Sequence, residues 1–250
     1  MPITVVVSGA NGRMGQETVK AVTAAPDIEL VGTADVGDDL SALLAELKPD
    51  AMVDFTVPEA AMPNIRIALK TGVVPIVGTT GISAEDRLQV DILCSESSTG
   101  ALIAPNFALG AVLLMRFCKE AAAYFPDAEV IEMHHEKKLD APSGTAAATA
   151  EMIAEGRKNR SPMSLPPGAF EKIAGSRGGK AAGDVPVHSV RLPGFVASEL
   201  VVFGGLGQTL SIRHDTIDRS SFMPGVLLAL RKVSEFGPKA CLVYGLENLM

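Results

Sequence analysis

Sixteen consecutive residues, Ile131 to Ala146, hold two adjacent histidines, His134 and His135, two lysines, Lys137 and Lys138, and a Pro142-Ser143-Gly144-Thr145 turn. Imidazole can give or take a proton near neutral pH, and an ammonium four residues on supplies a fixed cation. Ala146 to Ala154 is alanine-rich and reads as a helix, so Ser143 or Thr145 can cap its start, where unpaired N–H groups and the helix dipole attract an anion. Glu129 to Met133 alternates as a strand does, which puts His134 to Asp140 at its end or in the following loop, where a scaffold presents functional side chains. These residue types describe a site for a carboxylate or phosphate with proton donors beside it. The plain alternative is a polar strand-to-helix loop with a solvated Glu136-Lys137-Lys138 run, and the rest of the chain decides between the two.

A second chemistry-bearing stretch lies at the start. Ile3 to Val7 is a short β-branched run that fits a buried parallel strand, and it feeds into Ser8-Gly9-Ala10-Asn11-Gly12-Arg13-Met14-Gly15 before a helical pattern from Gln16 to Ala25. Strand, glycine turn and helix together make a dinucleotide site, because glycines let the backbone approach a pyrophosphate at the helix N-terminus. The spacing is G-x-x-G-x-x-G, with Ala10 where the usual fingerprint has its first glycine. Glu29 to Ala34 forms a second strand ending in Asp35, where such folds place an acid that accepts hydrogen bonds from the adenosine ribose. That carboxylate disfavours a 2′-phosphate, with Arg13 offsetting part of the repulsion.

The elements that must position these two stretches follow from the pattern. Leu40 to Lys48, Pro58 to Thr71 and Ser83 to Ser95 read as helices, with Ser83 as an N-cap; Ala51 to Thr56, Val73 to Val77 and Gly100 to Ala104 read as strands. Such alternation predicts a Rossmann-type, doubly wound parallel α/β sheet, whose ligands bind beyond the carboxyl ends of the strands. That rule selects Gly78, Thr79, Thr80, Ala104, Pro105, Asn106 and Phe107 as cofactor-binding residues alongside Gly9 to Met14 and Asp35. After Phe107 the pattern changes. A helix from Leu109 to Tyr124 leads to the Glu129 strand, and a helix runs from Thr145 to about Arg157. Arg160 to Asp184 is a Pro-, Gly- and Ser-rich loop whose Ser176 to Lys180 run is read as surface. Val187 to Leu192, Glu199 to Phe203 and Thr209 to Ile212 are strands without intervening helices, hence a second α+β domain with a mixed or antiparallel sheet. Ser220 to Val233 is an amphipathic helix that returns to the first domain. The expected domains are residues 1–106 with 217–250, and 107–216.

Composition narrows the function classes. In 250 residues, 47% hydrophobic content is ample for a core, and a net charge of -7 argues against a broad nucleic-acid surface. Cys94, Cys118 and Cys241 are far apart without metal-type spacing, so no metal site is expected and buried, reduced thiols in a cytoplasmic setting are. No targeting segment or membrane-spanning run is evident.

With the glycine turn, Gly78-Thr79-Thr80-Gly81, Ala104-Pro105-Asn106-Phe107 and His134 to Ala146 in order on one chain, the sequence closely resembles the dihydrodipicolinate reductases, also called 4-hydroxy-tetrahydrodipicolinate reductases, over essentially its full length. The resemblance implies reduction of a cyclic, unsaturated dicarboxylate to tetrahydrodipicolinate in lysine and diaminopimelate synthesis, with NADH and/or NADPH, by a homotetramer joined through its second domains. His134 would then be the proton donor and Lys138 its cationic partner. His135, Ser143, Gly144 and Thr145 would hold substrate carboxylate. In three places the chain departs from relatives: Val36 and Val57 stand where a basic residue can occur, and Leu200 where histidine is frequent. The two valines lead to the expectation that NADH serves at least as well as NADPH. Two alternatives remain at this level: a non-catalytic dinucleotide-binding redox sensor, which gives no reason for His134 to Thr145, and another two-domain reductase or a semialdehyde dehydrogenase, which needs an activated cysteine.

Overall fold

In the first strand, β1 (Ile3–Ser8), Val5, Val6 and Val7 have no exposed surface, as expected of a β-branched run covered on both faces. It opens an unbroken alternation of helices and parallel strands: α1 (Arg13–Ala24), β2 (Ile28–Ala34), α2 (Leu40–Leu47), β3 (Ala51–Asp54), α3 (Pro58–Lys70), β4 (Val74–Val77), α4 (Ala84–Ser97) and β5 (Ala101–Ile103). Local sequence sets the helix starts. Asp39 caps α2 through Ala42 N–H, Pro58 opens α3, and Ser83 with Asp86 forms a reciprocal capping box on α4. This computed structural model describes residues 1–158, 160, 162 and 166–250.

The chain then builds α5 (Leu109–Ala122), β6 (Asp127–His134), α6 (Gly144–Arg157), β7 (Gly179–Lys180), β8 (Pro186–Arg191), β9 (Ala197–Gly205) and β10 (Gln208–Thr216), and ends with α7 (Met223–Arg231), α8 (Val233–Phe236) and β11 (Leu242–Tyr244). It divides into two compact units, Met1–Ala108 with Arg219–Met250, and Leu109–Asp218.

The first unit holds a parallel sheet in the order β11-β5-β4-β3-β1-β2. Because the chain leaves β1 towards β2 and then passes back beyond β1 to β3, right-handed crossovers put α1 on one face and α2, α3 and α4 on the other. Two core clusters follow, one of Val6, Ala34, Leu44, Met52 and Ala68, the other of Ile65, Leu69, Val77, Val90 and Cys94. α7 lies against α1, and Pro224 sits in its first turn; the residues before it, Arg219–Phe222, form a separate 3-10 turn, so the helix is shorter than expected. β11 is an addition to the expected pattern. Its three residues carry no periodicity of their own, and what makes them a strand is pairing with β5 at Leu242, Val243 and Tyr244.

The strand order reverses between β1 and β3, and there the backbone is packed to its limit. A Cβ at Gly9, whose φ is +77°, would meet Phe55 carbonyl oxygen at 2.6 Å, and one at Gly15 would meet Gly9 carbonyl oxygen at 2.0 Å. These contacts let α1 start hard against the end of β1, at the switch point where sheets of this kind bind ligands.

The second unit holds a mixed sheet, β10-β9-β6-β8-β7, in which β6 runs parallel to β8 and antiparallel to β9. α5 and α6 cover one face, burying Val130, Val201, Phe203, Ile153 and Cys118. Arg157, at the end of α6, donates to Pro126 and Gly183 carbonyls and ties two loops to the helix. The expected 160–184 loop is only partly irregular: it contributes β7 and a helical turn at Ala182–Asp184, while residues 161 and 163–165 lie outside the described residues. Its Arg177 pairs with Glu129 at 3.0 Å and its Lys180 with Asp184 at 3.4 Å.

Gly15→Ala is expected to lower the unfolding free energy by about 3 kcal/mol, because the atoms in the way are backbone. Gly204→Ala, with nothing within 4 Å, should shift it by less than about 1 kcal/mol. Urea denaturation of the two variants checks both.

Candidate active site

In β6 the even-numbered residues Ala128, Val130 and Glu132 turn towards α5 and α6, and His134, two places beyond Glu132, shares that face as the last residue of the strand. Glu132 is a carboxylate with no exposed surface, and its partners come from three elements. His134 Nδ1 lies 2.5 Å from its Oε2. Arg191, the last residue of β8, donates to both oxygens at 2.9 and 2.7 Å, and Ser143 N–H donates to Oε1 at 3.3 Å. Burial pushes the Glu132 carboxyl up, but hydrogen bonds from His134, Arg191 and Ser189 outweigh it and hold the pKa at about 2. An anion of this kind fixes the His134 tautomer with the proton on Nδ1 when the ring is neutral, and directs Nε2 away from the carboxylate.

The start of α6 adjoins this cluster. Ser143 is its N-cap, with the hydroxyl accepting from Ala146 N–H at 3.2 Å, and the first turn carries no acidic residue. A Cβ at Gly144 would meet nothing within 4 Å, so the helix start faces open space. Lys138 donates to Asp140 at 2.8 and 3.0 Å; the Lys138 ammonium, ahead of the cost of burial, holds the Asp140 carboxyl below its usual range. Arg191 also donates to Asp140 carbonyl, which anchors the loop. His135 and Thr145 are half-exposed.

In the first unit, Gly9, Ala10, Asn11, Gly12, Arg13 and Met14 form the turn from β1 into α1, and Gly12 is an N-cap without a side-chain hydrogen bond. Asp35 accepts from Asn11 N–H at 2.7 Å and Val36 N–H at 2.8 Å; those two donors, Val36 first, lower its pKa. Close glycine packing, an uncapped helix start and a carboxylate at the end of β2 fit a dinucleotide. Beneath them lies a second buried carboxylate. Asp54, the last residue of β3, accepts from Thr56 N–H, Thr56 Oγ1 and Thr79 Oγ1 on one oxygen and from Asn64 Nδ2 on the other. The Thr79 hydroxyl thus turns inward to hold the loop, while Thr80 is exposed. A Cβ at Gly78 would run into the Phe55 ring, and that ring meets Phe107 edge-on at 5.8 Å. Ala104 is buried, Pro105 exposed, and Asn106 Oδ1 accepts from Ala108 N–H.

Two family models divide the chain between them: "Dihydrodipicolinate reductase, N-terminus" matches residues 3–107 and "Dihydrodipicolinate reductase, C-terminus" residues 110–250. The chain belongs to the dihydrodipicolinate reductase family. It is 48% identical over 269 residues to the 4-hydroxy-tetrahydrodipicolinate reductase of Desulfitobacterium hafniense, covering 99% of this chain and 98% of the relative. With the enzyme of the same name from Moorella thermoacetica it shares 48% over 268 residues, again 99% and 98%. A dipicolinate-bound dihydrodipicolinate reductase from Paenisporosarcina sp. TG-14 superposes with a TM-score of 0.87 at 41% identity, with both chains fully covered.

The residues that this reductase adds to those foreseen are Glu132, Arg191, Ser189 and Asp54. Glu132 was within reach of the sequence, since an acid two places before a strand-terminal histidine must share its face. Arg191 was not, because the pairing of β6 with β8 joins segments 59 residues apart. The cysteines agree with the expectation of inert thiols for Cys94 and Cys118, both fully buried and both pushed by burial up to about 12; Cys241 is half-buried. Membership of the reductase family along both halves of the chain removes the semialdehyde dehydrogenase alternative. Among the described residues no group of metal-ligating side chains occurs, and no helix is long and apolar enough to cross a membrane.

Glu132→Gln is expected to cost about 3 kcal/mol of unfolding free energy at pH 7, because it leaves Arg191 facing a neutral partner. A depressed carboxyl stabilises above its unfolded value of 4.5 and loses that contribution as pH falls through about 2, so the gap between the two proteins should narrow over that range. Denaturant midpoints measured from pH 7 down to pH 3 check it.

Proposed function

We propose that the chain reduces 4-hydroxy-tetrahydrodipicolinate to tetrahydrodipicolinate, with His134 as proton donor. The observation that carries this reading is the His134 imidazole held on the buried Glu132–Arg191 pair, beside a helix start open to an anion. A bound reduced nicotinamide dinucleotide supplies the hydride. Loss of the 4-hydroxyl as water gives the conjugated ring; hydride then displaces an electron pair onto the substrate, and the His134 imidazolium, protonated on both nitrogens, gives its Nε2 proton to that pair; a positioned acid typically contributes about 10²–10⁴-fold. Lys138 adds a fixed positive charge to the developing anion, which it can do by exchanging exposed Asp140 for the substrate. His135, the Ser143 hydroxyl and the N–H groups of Gly144 and Thr145 take a substrate carboxylate at the positive end of α6. Gly9 to Met14, Gly78 to Thr80 and Ala104 to Phe107 hold the dinucleotide.

Asp35 receives the adenosine ribose hydroxyls, and its negative charge opposes a 2′-phosphate. Val36, 100% exposed, and Val57, 56% exposed, bring no compensating cation, so NADH is the cofactor this site favours, with NADPH no better. The chain works as a homotetramer: the sheet face not covered by α5 and α6 presents Ile131, Met133, Leu200 and Val202, apolar and half-exposed, a surface suited to another copy.

His134→Gln and Lys138→Met should each reduce kcat by at least about a hundredfold while the Kd for NADH stays within about twofold. Turnover followed by NADH absorbance, beside calorimetric NADH titration, decides; parallel losses in both would move the motif to the dinucleotide site. In the same assay kcat/KM with NADH should equal or exceed that with NADPH, and a preference of more than about tenfold for NADPH would contradict the role given to Asp35.

A further inference from the structure

A line of side chains crosses the second sheet perpendicular to its strands. Register pairs His214 of β10 with Glu199 of β9, Glu199 with Glu132 of β6, and Glu132 with Ser189 of β8. Directly opposed residues share a face, and this one lies under the helices: the His214 ring abuts Gly110 of α5, and Glu199 contacts Thr149 of α6. Two carboxyls therefore stand side by side, Glu132 with no exposed surface and Glu199 only 6% exposed.

Their surroundings differ. Glu132 is matched by Arg191, His134 and Ser143 N–H. Glu199 Oε1 is buried with no hydrogen-bond partner among the described residues. The Thr149 hydroxyl has one proton to share between Thr145 carbonyl oxygen, at 3.0 Å, and Glu199, so it meets the carboxyl's demand only in part. Among the described residues no cation compensates it directly. β6 faces it with Glu132 and His134, β10 with His214, whose protonation burial opposes, α5 with Cys118, a neutral thiol, and α6 with Thr149; Arg191 of β8 is already committed to Glu132. Burial first, and then the Glu132 charge, outweigh the Thr149 contact and push Glu199 up to about 7.

We propose that Glu199 is a positioning residue of the dicarboxylate pocket: it remains a neutral acid behind Glu132 in the working state, and its ionisation weakens binding of the doubly negative substrate. The charge count gives the reason. Glu132 and Arg191 cancel, so the attraction for a dianion rests on His134, on Lys138 once it exchanges Asp140 for the substrate, and on the α6 start; a second buried carboxylate subtracts from it. The proposal rests on the reading of His134 to Thr145 as the dicarboxylate site.

Calorimetric titration of the full chain with pyridine-2,6-dicarboxylate between pH 6 and pH 9 tests it. Glu199→Gln keeps a donor towards Thr149 and cannot ionise. At pH 6 the two proteins should bind alike; by pH 9 the wild type should be weaker than the variant by on the order of fivefold. Identical pH profiles would overturn the proposal. So would infrared spectra at pH 6 in which Glu199→Gln removes no protonated-carboxyl band. A carboxyl raised in the folded state stabilises most below its unfolded value of 4.5 and loses that as pH rises through about 7, so Glu199→Gln should melt above the wild type at pH 8 and close to it at pH 5; equal melting temperatures at pH 8 would count against it. His135→Gln separates the two readings. If it leaves dicarboxylate affinity unchanged, the site reading falls and this proposal with it; if it weakens binding while Glu199→Gln keeps the wild-type profile, only Glu199 is misassigned.

Discussion

A carboxylate taken wholly out of water survives as an anion only if charge and hydrogen bonds replace what solvent supplied. Glu132 meets that condition by drawing together the end of β6, the end of β8 and the start of α6, with a guanidinium fork, an imidazole and a backbone N–H. Each donor belongs to a group with a part in the proposed chemistry: the imidazole proposed as proton donor, the cation beside it, and the helix start proposed to receive a carboxylate. Compensation of one buried charge and organisation of the pocket are thus the same set of contacts. Without Glu132, the ends of β6 and β8 and the start of α6 would have no common reference point.

The first unit uses the same device with neutral donors. Asp54 closes β3 and collects Thr56, Thr79 and Asn64, so the loops after β3 and β4 are tied to one carboxylate near the proposed dinucleotide site. Above it, glycines at positions 9 and 15 bring the backbone within the distance a side chain would occupy. Rigidity comes from the polar contacts and close approach from the missing side chains, and a pyrophosphate site requires both.

Much of this is legible in the amino-acid sequence. The alternation from β1 to β5 is regular because each element is long enough to show its period, and caps such as Ser83 and Ser143 mark helix starts through chemistry confined to four residues. His134, His135 and Lys138 announce themselves by type and crowding. What stayed hidden was set by pairing between distant segments. Arg191 reads as an ordinary strand-end arginine until β8 is laid beside β6, and Glu199 as an ordinary surface acid until α6 is placed over it. β11 could not be read at all, since three residues specify a strand only when a neighbour is waiting for them.

That last strand has a consequence for how the protein comes into being. The β5 edge is complete only when Leu242–Tyr244 docks on it, and those residues follow the entire second unit in the chain. On the ribosome, Leu109–Asp218 has all its strands before the parallel sheet does, so the nascent first unit must wait with one flank unsealed. The order of synthesis and the order of closure are therefore inverted, and the middle of the message can settle before its beginning does.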